Sequence, residues 1–151
     1  MKRLTLLLSL AGLTFGLSQS VSAADAVDFG KQIYPILKNK CLSCHAEPYV
    51  DASSGRTKKP KGGLRLDTVE WITKGYLNDD DETVKSVVPG KPEKSPIYTS
   101  SALPPDHDDI MPPKGDTLTK AELTALKQWI LQGAKFGGFK APAYVNPKAK
   151  K

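Results

Sequence analysis

"KNKCLSCHAE", residues 38–47, holds both cysteines of this 151-residue chain and one of its two histidines. Cys41 and Cys44 are separated by two residues and His45 follows directly, so two thiols and an imidazole fall within five positions. Cys-x-x-Cys-His is the pattern of c-type haem attachment. Thiols three positions apart form thioether bonds with the two vinyl groups of one haem, and the adjacent imidazole reaches the iron from one face. Three rival chemistries fit less well. Structural zinc takes about four ligands, and outside the motif only His107 remains among the cysteines and histidines. A thioredoxin-like redox pair belongs beside a βαβ pattern, whereas this motif follows an amphipathic helical one. A disulfide across two residues closes too short a loop to stabilise much, and it leaves His45 without a role.

Upstream of the motif, the chain opens "MKRLTLLLSLAGLTFGLSQSVSAADA". Lys2 and Arg3, the apolar run Leu4 to Leu17 and the small residues Val21-Ser22-Ala23 are the three parts of a secretory signal peptide, with cleavage expected after Ala23. The apolar run falls short of the ~20 residues of a spanning helix, and no cysteine follows it to carry a lipid. The expected organisation is therefore a signal peptide over 1–23, one domain over 24–140 and a disordered basic tail over 141–151. Lys2 and Arg3 leave with the signal, which lowers the formal charge from +6 to +4. That mild excess suits weak attraction to acidic partners. It does not suit nucleic acid, because the basic residues are scattered apart from "RTKKPK" (56–61) and the end "PKAKK".

The domain reads as short helices and long loops. In "DFGKQIYPILKNK" (28–40), Phe29, Ile33, Ile36 and Leu37 share a face behind an Asp28 N-cap, and Pro35 should kink or divide the helix. Residues 46–63 lack periodicity and read as a surface loop. A helix capped by Asp67 and ended by Gly75 follows, then the acidic loop "NDDDE", then a turn at Pro89-Gly90 and a short helix started by Ser95-Pro96. The clearest element is "LTKAELTALKQWILQG" (118–133). Thr119 and Glu122 form a capping box there, Leu118 and Leu123 a hydrophobic staple, Gly133 a stop, and Leu123, Leu126 and Ile130 an inner stripe with Trp129 on its flank.

A sixth iron ligand is sought in "PPDHDDIMPPKGDTLT". Met111 is the one methionine left after the initiator, and it sits in a polar, proline-dense loop where core filler makes little sense. Pro112 and Pro113 stiffen that loop. His107, four residues earlier, is the competitor; the residues favour Met111 and leave His/His ligation as the alternative.

The succession "YPILKNKCLSCH", "GGLRLD", "VVPGKPEKSPIY" and "IMPPKGDTLTKAELTALKQWILQGA" resembles the planctomycete-type cytochrome c domain of the class I cytochrome c superfamily, over roughly residues 29–136. The resemblance implies an all-α, cytochrome c-like fold of several short helices and long loops around one covalently bound haem c. It further implies Cys41 and Cys44 as attachment sites, with His45 and Met111 as iron ligands. Arg65 of "GGLRLD" is a candidate partner for a haem propionate, and Tyr34, Trp71 and Tyr98 are candidates to pack on the macrocycle. The expected function is an exported, periplasmic mono-haem electron carrier, not an enzyme, that docks transiently on redox protein partners and keeps no membrane anchor after signal cleavage. The alternatives are a peroxidase-like haem enzyme or a gas-binding haem sensor, each with an open or His-ligated distal site.

Overall fold

A computed structural model describes residues 26–113 and 116–150. The expected signal peptide, and Lys114 and Gly115 of the distal loop, lie outside the described residues.

The chain enters through a helical run in three parts: Phe29–Ile33, helix α1 (Tyr34–Ile36) and Leu37–Cys41. Asp28 caps it as expected, its carboxylate accepting from Lys31 N at 2.9 Å. Pro35 neither stops nor divides the run. It has no N–H to give to the preceding turn, and its ring crowds the carbonyl there. The turns on both sides widen instead, so that the Tyr34 N–H bonds to Phe29 O and the Leu42 N–H to Leu37 O, each five residues back. Phe29, Ile33, Tyr34, Ile36 and Leu37 are all buried along this run.

Helix α2 (Val69–Lys74), helix α3 (Pro96–Thr99) and helix α4 (Lys120–Leu131) follow. In α2 the capping side chain is Thr68, which accepts from Trp71 N, and not Asp67, because Asp67 is buried and occupied by Arg65. Ser95 stands at the N-cap of α3 with Pro96 after it, as expected, but its side chain makes no capping bond. Its hydroxyl accepts from Val88 N and donates to Lys91 O, closing the turn around Pro89-Gly90. Helix α4 has the expected capping box: Thr119 Oγ1 accepts from Glu122 N at 3.2 Å, and Glu122 Oε2 accepts from Thr119 N at 2.7 Å.

The core joins the two ends of the domain. Leu126, Trp129 and Ile130 of α4 are buried while Leu123 is only partly so, which places Trp129 at the centre of the helix face and not on its flank. An aromatic nest draws it inward. The Phe29 ring lies 5.1 Å from Trp129, 4.7 Å from Phe136 and 5.3 Å from Phe139 in tilted or edge-on contacts, the arrangements aromatic rings prefer. Trp129 Nε1–H donates to Lys135 O at 2.8 Å, so its one polar atom is satisfied.

Helices and loops make up most of the described residues, and two short antiparallel pairs join them: β1 (Tyr49–Val50) with β2 (Thr57–Lys58), and β3 (Tyr76–Leu77) with β4 (Thr83–Val84). Strands of two residues are too short for alternation to be read in a sequence. What builds them is their turns. Asp51 Oδ1 accepts from the main-chain N–H and hydroxyl of both Ser53 and Ser54, bonds that hold its carboxyl well below the usual carboxylate range. Asn78 Oδ1 does the same work between β3 and β4, accepting from Asp80 N and Glu82 N.

Near the end of the chain, residues 148–150 lie along β1 and the turn after it. Ala52 N bonds to Lys148 O at 2.9 Å, Lys150 N bonds to Val50 O at 2.7 Å, and Asp51 pairs with Ala149. Main-chain bonds to a strand edge need no apolar side chains, which is why composition missed them.

Gly75 ends α2 at φ +87°, and a Cβ there would stand 2.2 Å from the Val84 carbonyl oxygen of β4. Gly75→Ala is expected to destabilise the fold by about 1–3 kcal/mol through backbone strain and that clash. Chemical denaturation should read this as a lower midpoint.

Candidate functional site

The motif turn forms where the first helical run closes. Leu42, with no exposed surface, anchors it in the core, while Cys41 and Cys44 remain partly accessible on either side. Cys44 N and His45 N both donate to Cys41 O, at 3.1 and 2.9 Å, so the two thiols and the imidazole share one tight turn. The "GGLRLD" stretch then runs back along it. Lys61 N donates to Cys44 O at 3.0 Å, and Leu66 N donates to His45 O at 2.8 Å.

His45 Nδ1 lies 3.3 Å from Leu64 O. A carbonyl only accepts, so Nδ1 carries the hydrogen and Nε2 keeps its lone pair, the tautomer of a metal-ligating histidine. Burial pushes the imidazole pKa down, against smaller upward effects from the Leu64 and Lys61 main chain, and so favours the neutral form that can bind a metal. The donor set therefore fits haem c: two unpaired thiols and one oriented, neutral imidazole.

Cys41 is pushed up to about 12, by burial first and then by Asp116. Such a thiol stays protonated at neutral pH. A redox Cys-x-x-Cys pair works through a cysteine of lowered pKa, the opposite of the direction at Cys41.

The loop that follows Met111 reaches the start of the motif at Asp116. Lys40, next to Cys41, pairs through Nζ with Asp116 Oδ1 at 2.5 Å. Met111 is held through its main chain, N–H to Ser100 O at 3.0 Å, between buried Ile110 and buried Pro112. It is 39% exposed, which rules out core filler. His107 is tied differently. Its Nδ1 accepts from Asp109 N at 3.0 Å, which in the neutral ring places the hydrogen on Nε2 and leaves no free lone pair there.

Arg65 is committed elsewhere. Its Nε and Nη2 make a two-point contact with Asp67, at 3.0 and 2.6 Å, and its guanidinium carbon lies 4.6 Å from the Trp71 ring centroid, as does Lys74 Nζ. Tyr34 packs on Phe139 at 4.8 Å. Beside the motif, a depression of about 330 Å³ is lined by Leu42, Ser43, Cys44, Tyr49, Pro60 and Lys148, among others. A larger one of about 910 Å³, around Phe29 and Phe136, includes no residue of the motif.

A known family, described as planctomycete cytochrome C, matches residues 41–115, starting at the first cysteine of the motif and spanning about half of the chain. The chain carries a planctomycete-type cytochrome c domain. Nothing among curated proteins or solved structures matches it. The match makes this a cytochrome c domain, for which haem is the implied cofactor and electron transfer the implied work. No described helix is long and apolar enough to cross a membrane.

Proposed function

We propose that this chain is an exported mono-haem c-type cytochrome that carries single electrons between larger redox proteins. One haem c is bound through Cys41 and Cys44, with His45 and Met111 as the axial ligands. The observation that carries the reading is the His45 imidazole. It directly follows the two thiols on one turn, and its Nδ1 lies 3.3 Å from Leu64 O, a contact that suits the tautomer with its lone pair on Nε2. Bound haem supplies an iron that takes up and releases one electron without bond making at a substrate. The residues supply the rest. His45 holds one face, Leu42 and Ala46 bury the turn, and Met111 offers a soft thioether that favours the ferrous state and raises the potential.

The ligand pair is tested by replacing each candidate. Met111→Ala is expected to lose the weak red absorption band that sulfur ligation gives ferric haem, and to lower the reduction potential. His107→Ala should keep both. The reverse pattern would overturn the assignment, and rapid carbon monoxide binding to the reduced wild-type protein would overturn a carrier ligated on both faces.

Docking is proposed to use the basic rim of the Cys44 depression, Lys58, Lys59, Lys61 and Lys148. Electron-transfer rates with an acidic acceptor should therefore fall steadily as ionic strength rises, in stopped-flow measurements. A rate independent of salt would count against this steering.

A further inference from the structure

The turn between the two cysteines is held by a residue about a hundred positions away. Asn146 Nδ2 donates to the Ser43 carbonyl at 3.1 Å, across a sequence separation of 103. The Asn146 side chain cannot be reversed without losing both of its bonds. Its Oδ1 accepts from Lys148 N at 3.0 Å, a group that can only donate, and Ser43 O can only accept. Asn146 is buried, 7% exposed, at the start of the strap that continues through Lys148 and Lys150 onto β1 and the turn after it.

We propose that Asn146 is a positioning residue of the haem-attachment turn, holding the Ser43–Cys44 peptide plane and so setting the direction of the second attachment cysteine. This rests on the reading of Cys41, Cys44 and His45 given above. The carbonyls of Cys41, Ser43, Cys44 and His45 all accept hydrogen bonds. Three take them from nearby main chain, and Ser43 takes its bond from a side chain. The Ser43 C=O and the Cys44 N–H belong to one rigid plane. Fixing that oxygen therefore aims the Cys44 N–H at Cys41 O, the 3.1 Å bond that closes the turn. The strap lies outside the stretch matched by the family, residues 41–115, so this contact is a feature of this chain that the family match does not cover.

Asn146→Asp separates positioning from mere packing. The carboxylate keeps the acceptor for Lys148 N and the size of the side chain, but it has no hydrogen to give Ser43 O. Amide hydrogen exchange is measured on the full-length, haem-loaded chain, residue by residue. The proposal expects exchange at Cys44 and His45 to speed up about tenfold, as loss of one buried hydrogen bond implies, with exchange at Lys148 unchanged. Unchanged exchange at Cys44 and His45 would overturn it, as would equal acceleration along the whole strap. Covalent haem content is measured on the same samples. A wild-type chain without attached haem would defeat the reading of the motif, while the exchange comparison on that chain would still decide the role of Asn146.

Discussion

His45→Ala is expected to lower the yield of haem-loaded protein by about tenfold or more, while the helical content of the polypeptide changes little. The imidazole is the one side-chain nitrogen that the motif turn offers an iron; burial pushes its pKa down, and Leu64 O orients it. Loss of even an outer partner of a metal-bound histidine typically costs 10–100-fold in affinity, so loss of the ligand itself should cost at least as much. The backbone has less to lose. His45 N and O bond to Cys41 O and Leu66 N through the main chain, and alanine keeps both. Haem per mole of polypeptide, with far-ultraviolet circular dichroism on the same sample, checks both halves. His107→Ala is the control and should load normally, because the Asp109 N–H already uses its Nδ1.

Trp129→Ala is the largest expected effect on the fold itself. The indole is 1% exposed, it touches both Phe29 and Phe136, and its N–H is bonded to Lys135 O. Removing it leaves a cavity where the start of the first helical run, α4 and the segment after α4 meet, at a cost of about 3–5 kcal/mol. For a chain of this length that corresponds to a melting temperature lower by about 10 °C. Trp129→Phe keeps most of the apolar volume and loses the hydrogen bond, so it should cost about 1 kcal/mol. Thermal unfolding of the three proteins should rank them in that order. If Trp129→Ala melted together with the wild type, the indole would not be the keystone of this core.

The parts legible in the sequence were those written in neighbouring residues. The Cys41–His45 spacing, the Thr119–Glu122 box, the Asp28 cap and the Gly75 stop each span fewer than six positions, and the chain forms all of them. Pro35 was legible as a disturbance but not in its form, since widening both turns is a choice made by the helix around it. Arg65 and Asp67 show how two near neighbours can take each other as partners: Asp67, two positions on, holds Arg65 instead of capping α2.

What stayed hidden joins residues far apart. Nothing in "YVDA" (49–52) or "PKAKK" (147–151) announces that Lys148 and Lys150 bond to Ala52 and Val50, nor that Asn146 reaches Ser43. These are single main-chain or amide contacts, and they leave no periodic signal. The Lys40–Asp116 pair is hidden in the same way, although it brings the loop after Met111 to the residue before Cys41. The local pattern thus names the candidate attachment residues, while the groups that hold their turn are visible only in three dimensions.

The most direct test of the central claim is the mass of the denatured protein, made from the full 151-residue sequence in a bacterial host that attaches haem to exported chains. The account predicts a mature chain heavier by one haem that survives unfolding, with the added mass on the peptide containing Cys41 and Cys44. An unmodified mass, with both thiols free to react with an alkylating reagent, would contradict it.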